Sequence, residues 1–77
     1  MKVTLESTSK VVELETPKGT VPARIWEGHT ETGIPVHAYI TLIAAPAAED
    51  HAEFLRDLEE HRAPTPAVAA IPLRMIL

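Results

Sequence analysis

Four side chains with recognisable binding chemistry lie within one short stretch of the chain, and they are Arg24, Trp26, His37 and Tyr39. A guanidinium group can hold a carboxylate or a phosphate through two parallel hydrogen bonds. An indole or a phenol can stack on a flat ring or on a cation. This combination of side chains is suited to an anionic aromatic ligand such as a nucleotide.

Metal binding and catalysis find little support in the residue pattern. Asp57 and His61 have the spacing of two ligands on one helix face, but neither a third ligand nor a His-Glu-x-x-His motif accompanies them. Ser7 and Ser9 lack the context of a serine nucleophile. The glycine-bounded segment 28–33 is not followed by the Lys-Ser/Thr of a phosphate-binding loop. The sequence therefore predicts no metal site, no cofactor and no enzyme activity.

Three strands are predicted before the first helix. The apolar positions change parity between residues 3–5 and residues 12–14, so we expect a bulge within residues 7–10 that brings both sets to one face. A Pro-Lys-Gly turn leads into a second strand at residues 21–27. The third strand is predicted at residues 34–45, with its even-numbered, apolar side chains facing the core. These side chains are Ile34, Val36, Ala38, Ile40, Leu42 and Ala44.

A helix and a last strand complete the prediction. Residues 47–62 show a capping pair, Asp50 with Glu53, and an apolar stripe at helical spacing that includes Phe54, Leu55 and Leu58. Prolines in residues 63–66 end the helix, and residues 68–77 form a strand that Pro72 restricts to a sheet edge. The predicted fold is one β-rich α+β domain spanning residues 1–77, ordered β-β-β-α-β. It is an antiparallel meander with one covering helix and a C-terminal edge strand.

The predicted strand register assembles the candidate binding residues on one face. A loop centred between residues 30 and 31 places Arg24 opposite His37 and Trp26 opposite Pro35, and the preceding turn places Glu13 opposite Arg24. The candidate ligand-binding set is therefore Glu13, Arg24, Trp26, His37 and Tyr39. Three interpretations remain open for this face: an ordinary half-exposed surface with an ion pair, a protein or oligomer interface, and a small-ligand site.

Composition limits the classes of partner. The chain has 77 residues, a net charge of −4 and 45% hydrophobic residues, which predicts a folded domain without the positive field of a general nucleic-acid or membrane binder. It contains no cysteine, so disulfides cannot supplement a small core. Because so short a chain buries little apolar area by itself, we expect a homo-oligomer.

Residues 21–37, together with residues 62–64 and 70–77 near the end of the chain, resemble small accessory proteins encoded in tailed-phage and prophage genomes. The Ala-Arg-Ile-Trp-Glu-Gly segment, residues 23–28, is the most distinctive part. The resemblance implies action in the host bacterial cytoplasm and assigns no residue roles. In that setting we expect a counter-defence protein that sequesters a nucleotide-type signal between subunits. The alternatives are an inhibitor docking on a basic surface of a host or defence complex, and a virion decoration or assembly protein.

Overall fold

A computed structural model describes residues 1–77 and confirms the predicted β-rich α+β architecture. The elements are β1 (Val3–Thr16), β2 (Gly19–Thr30), β3 (Pro35–Ile40), α1 (His51–Glu59), α2 (Pro66–Ala69) and β4 (Arg74–Ile76). They form one curled sheet in the order β3-β2-β1-β4, in which β1, β2 and β3 make the antiparallel meander. No helix has both the length and the apolar character needed to cross a bilayer.

The predicted bulge in β1 is confirmed, but its effect on the sheet differs from the prediction. Ser7 pairs with Trp26 and Val11 pairs with Arg24, so β1 advances four residues while β2 advances two. Two extra residues leave side-chain parity unchanged, because strand side chains alternate with a period of two. The apolar residues at positions 3 and 5 therefore lie on the face opposite to those at positions 12 and 14, and the expectation that the bulge unites them is wrong.

The third strand is shorter than predicted. Pairing between β2 and β3 ends at Arg24 and Ile40, and a longer β3 would bring Leu42 opposite Pro22. Proline has no backbone N–H to donate to the ladder, which accounts for the end of the strand. The even-numbered face of this strand does not form the core, since Ile34 is 60% and Leu42 81% exposed.

Helix α1 is also shorter than predicted, although its cap is confirmed. The helix begins at His51 rather than at residue 47, because the Asp50 carboxylate accepts a hydrogen bond from the Glu53 N–H at 3.0 Å and stops the helix from extending backwards. At the other end, the backbone of Glu60 is extended. The apolar stripe predicted on this helix contains no fully buried side chain.

The C-terminal segment contains a helical turn before its strand. Residues 66–69 form α2, with Pro66 in the first turn, where a missing N–H costs least. Strand β4 pairs with β1 in parallel and lies at the edge of the sheet, as the position of Pro72 predicts. The predicted strand over residues 68–77 is correct in its edge position and wrong in its length.

The hydrophobic core is small and lies on one side of β1 and β2. Its fully buried members are Val12, Leu14, Ala23, Ile25 and Val68, and the partly buried Tyr39, Ile71 and Met75 pack against them. Val68 comes from α2, so the short helix contributes to the core directly, whereas no residue of α1 belongs to the core. Five buried residues provide little hydrophobic stabilisation for a domain of this length.

Candidate binding cleft around Trp26

The structure places the predicted binding residues on two faces of the sheet. In the β2–β3 ladder, Ile25 pairs with Tyr39, and Trp26 pairs with Ala38. Directly paired residues project from the same face. Tyr39 therefore lies on the core side with Ile25, as does His37, whereas Trp26 and Arg24 lie on the other side. The predicted single cluster of Arg24, Trp26, His37 and Tyr39 is wrong.

The error comes from the position of the second loop. Strand β2 continues to Thr30, and the connection closes with a hydrogen bond from the Thr30 N–H to the Ile34 carbonyl at 3.0 Å. Gly33 supplies the positive φ of 89° that this tight connection needs. The pairing shifts by three residues relative to the prediction, and any odd shift moves every side chain of one strand to the opposite face.

Glu13 stays on the Trp26 side of the sheet, because the β1–β2 register shifts by an even number of residues. It pairs with Pro22 rather than with Arg24. Its carboxylate instead accepts a hydrogen bond from Arg74 Nη2 at 3.1 Å, which links β1 to the edge strand β4. Glu13 therefore forms a surface ion pair with Arg74 and does not contribute to the surroundings of Trp26.

His37 and Tyr39 contact each other on the opposite face. Their rings are arranged edge to face with centroids 5.4 Å apart, and His37 Nε2 lies 3.3 Å from the Tyr39 hydroxyl. His37 pairs across the ladder with Glu27. This pair forms its own small polar surface, separate from Trp26.

Arg24 is committed to the β1 bulge. Its Nη1 donates to the Thr8 carbonyl at 2.8 Å, and the fully buried Thr8 hydroxyl donates to the Ile25 carbonyl at 2.6 Å. The Lys10 N–H donates to the same hydroxyl at 3.2 Å. Together these bonds satisfy the Thr8 and Ile25 carbonyls and the Lys10 N–H at the bulge, so Arg24 stabilises the fold at this point.

We expect Arg24→Ala to lower the free energy of unfolding by about 2 kcal/mol, because it leaves the part-buried Thr8 carbonyl without its charged donor. The measurement is urea denaturation followed by the fluorescence of Trp26. Arg56→Ala, which removes an exposed guanidinium from α1, serves as the control and should change stability by at most about 0.5 kcal/mol. Equal stability of the two variants would show that the hydrogen bond from Arg24 to Thr8 does not stabilise the fold.

Trp26 lies where two adjoining clefts meet between the sheet and α1. The first cleft has a volume of about 290 Å³ and the second of about 220 Å³, and both include Trp26 and Ser7. The first is polar and is also lined by Glu6, Asp57, Glu60, His61 and Arg62. The second is mainly apolar and is also lined by Arg24, Ile40, Thr41, Leu42, Ile43 and Leu58. The half-buried indole therefore presents one surface to charged groups and another to aliphatic ones.

Backbone contacts between β1 and the segment after α1 hold the polar cleft in shape. The Ser7 hydroxyl donates to the Glu60 carbonyl at 2.6 Å. The Arg62 N–H donates to the Ser7 carbonyl at 3.1 Å, and the Ser9 N–H donates to the Arg62 carbonyl at 2.8 Å. The end of α1 is thus attached to the bulge itself, which fixes the distance between Trp26 and the helix.

The polar cleft carries an excess of negative charge. The charge of Arg62 is matched by Glu27, since Arg62 Nη1 lies 2.9 Å from Glu27 Oε2, and Glu6 is farther away at 3.8 Å from Arg62 Nε. Of the three exposed carboxylates that line the cleft, those of Glu6, Asp57 and Glu60, only that of Glu6 lies within 4 Å of Arg62. A cation entering this cleft would meet both an indole and several carboxylates.

Glu27 is a buried carboxylate with three donors. It is 7% exposed and accepts hydrogen bonds from the Thr65 hydroxyl, from the Thr65 N–H at 3.0 Å and from Arg62. Burial raises the pKa of Glu27, but the bonds from Thr65 and the bond and charge of Arg62 outweigh it and bring the pKa below its ordinary value. Glu27 therefore stays ionised and ties the segment between α1 and α2 to β2.

The sequence reasoning did not identify Glu27, Arg62 and Thr65 as partners. One signal was present, because Glu27 shares its parity with Ala23 and Ile25 and so continues the core face of β2. A carboxylate on a core face requires donors. Which residues supply them depends on the path of the chain after α1, and local patterns do not specify that path.

Comparisons of the chain with protein-family models, with curated proteins and with solved structures gave no match.

Proposed function

We propose that the protein is a non-enzymatic, homo-oligomeric binding protein that docks its Trp26 cleft on a basic segment of a protein partner. The resemblance to phage accessory proteins supports a setting in the cytoplasm of an infected bacterium, with a host or defence complex as the target. The observation that carries the proposal is the surplus of carboxylates around a half-buried indole. Blocking a target by occupying its basic surface requires no catalytic group.

The cleft chemistry fits a lysine or arginine side chain. A cation placed over an indole face is attracted by the ring electrons, with a larger effect where water is displaced. Glu6, Asp57 and Glu60 would accept hydrogen bonds from the same group, and the net charge of −4 would accelerate encounter with a basic surface.

Sequestration of a nucleotide-type signal is the second candidate. Arg24 and Trp26 both line the apolar cleft, where a base could stack and a phosphate could meet a guanidinium. Two features weigh against it in a single protomer: Arg24 already donates to Thr8, and the neighbouring polar cleft would repel a phosphate. A pocket completed by another subunit would remove neither feature, so we rank docking on a basic partner first.

The test uses two triple variants with the same change in net charge. Glu6→Gln/Asp57→Asn/Glu60→Gln removes three charges from the cleft, and Glu31→Gln/Glu49→Gln/Glu59→Gln removes three exposed charges elsewhere. Binding of an arginine-rich peptide is followed by the fluorescence of Trp26, the single tryptophan of the chain. We expect the cleft variant to weaken binding by about 30-fold or more, and the control by less than about 5-fold, since distant exposed charges are screened.

Three outcomes decide between the candidates. Equal weakening by the two triple variants would show that only net charge matters and would reject the cleft. A fluorescence change with cyclic nucleotides or NAD-derived signals, and none with the peptide, would favour sequestration. Recovery of a host complex from infected cells by the wild-type protein, and not by the cleft variant, would support docking.

A further inference from the structure

Helix α1 has an apolar face that its own protomer leaves uncovered. Leu55 and Leu58 are 49% and 39% exposed, and none of the nine residues of the helix is buried. The helix makes only sparse contacts with the strands. Isolated helices shorter than about 12–15 residues are marginal in water, so a nine-residue helix depends on packing for its stability. Its apolar stripe must therefore be covered by something outside the protomer.

The accessible surface of the whole chain indicates how much area a partner would have to bury. The protomer exposes 5875 Å², whereas a compact monomer of its mass exposes about 4,600 Å². Its radius of gyration of 13.8 Å also exceeds the value of about 11.5 Å expected for its length. The excess of about 1,300 Å² is larger than the roughly 800 Å² that each partner buries in a standard protein interface. A partner of about the size of the protomer is sufficient to cover it.

The uncovered face of α1 is continuous with a second exposed apolar region. Leu58 lines the apolar cleft together with Leu42 and Ile43, and Leu42 is 81% exposed. Large contiguous apolar surfaces of this kind are typical of interfaces between subunits. In an isologous pair, the same residues come from both subunits, so one patch can cover its own counterpart.

We propose that two copies of the chain associate through α1, with the helices antiparallel across a twofold axis and segment 41–43 of each copy covering the stripe of the other. The proposal rests on the homo-oligomeric part of the proposed function and names the surface. Leu55 is the middle residue of α1, so its side chain meets its own counterpart at the axis. The polar cleft, which Leu55 does not line, remains open to a partner on each subunit.

The test compares two leucine-sized side chains that are similarly exposed. Leu55→Lys places a charge on the proposed axis, and Ile34→Lys places the same charge in the β2–β3 loop. Sedimentation equilibrium should give the wild type and Ile34→Lys about twice the 8.4 kDa chain mass, whereas Leu55→Lys should raise the dimer dissociation constant by about 100-fold. A monomeric wild type, or an unchanged dimer of Leu55→Lys, would overturn the proposal.

A second experiment covers the case in which Leu55→Lys fails to fold. The chain contains no cysteine, so Leu55→Cys introduces a single thiol. Under mild oxidation at micromolar concentration, Leu55→Cys should form a disulfide-linked dimer in high yield, and Ile34→Cys should not. Equal yields would reject the axis at residue 55. Peptide binding by the wild type separates this proposal from the docking proposal. A monomeric wild type that binds the peptide contradicts only the dimer, whereas a dimeric wild type that does not bind it contradicts only the docking.

Discussion

Replacing Glu27 by alanine should lower the free energy of unfolding by about 3 kcal/mol, because a buried carboxylate is then lost while its donors remain. Arg62 loses its partner at 2.9 Å, and the N–H and hydroxyl of Thr65 lose their acceptor. The segment between α1 and α2 is attached to β2 through these bonds. We therefore expect the polar cleft to lose its shape before the sheet unfolds. Urea denaturation gives the stability, and hydrogen exchange of residues 60–65 reports the local loosening.

Glu6→Ala is the matched control for this prediction. Glu6 is exposed and its carboxylate lies 3.8 Å from the same guanidinium, so its loss should change stability by at most about 0.5 kcal/mol. A similar small effect for Glu27→Ala would mean that water replaces the lost carboxylate without cost. That result would show that the hydrogen bonds of Glu27 are not what holds the segment after α1 against β2.

The lowered pKa of Glu27 also gives its contribution a pH dependence with a definite sign. Its folded-state pKa lies below the ordinary value of 4.5, so the stabilisation is present above about pH 4.5 and is lost as the pH falls through the folded-state pKa. Glu27→Gln cannot titrate at this position. The difference in stability between the wild type and Glu27→Gln should therefore shrink as the pH is lowered from 6 to 3, and a constant difference would contradict the assignment.

Gly28→Ala should destabilise the protein by about 3 kcal/mol or more, because the two long strands approach each other too closely there for a side chain. A Cβ atom on Gly28 would lie 1.6 Å from the Thr4 carbonyl oxygen and 2.9 Å from the Leu5 Cα. Both are backbone atoms, so relief requires β1 and β2 to separate rather than a side chain to rotate. Thermal and urea denaturation measure the loss.

Gly19→Ala distinguishes this steric effect from a general effect of losing a glycine. Gly19 has a φ of 129° and open space around its Cα, so alanine there meets no atom and is opposed by backbone conformation alone. We expect a cost of about 1 kcal/mol for Gly19→Ala. If Gly28→Ala were no worse than Gly19→Ala, the close approach of the strands at Thr4 would not be limiting.

The two predictions with the largest effects concern residues that hold the strands and the segment after α1 in place around Trp26. Gly28 allows β1 and β2 to approach each other, and Glu27 attaches the segment that ends the cleft. Neither residue touches a partner in the proposed function. Charge changes in the cleft are therefore expected to weaken binding at unchanged stability, and Gly28→Ala to lower stability first. Glu27→Ala is expected to lower stability and to loosen the cleft as well.

Local patterns were sufficient for the order and type of every element except the short helix α2. The meander, the cap of α1 at Asp50, the bulge near Thr8 and the edge position of the last strand all follow from short-range chemistry. Each depends on the conformational preference or hydrogen-bonding capacity of residues within a few positions of one another. For that reason they could be predicted without the tertiary fold.

The sequence by itself determined the three-strand meander, helix α1 and the last strand, whereas tertiary structure decided which side chains meet and placed the short helix α2 where a strand was predicted. A shift of three residues in one loop separated Trp26 from His37, because the face of a strand side chain depends on register and register depends on where the turn closes. The partners of Glu27 lie 35 and 38 residues away, at Arg62 and Thr65. Contacts at such separations depend on the path of the whole chain, which no periodicity within a single strand encodes.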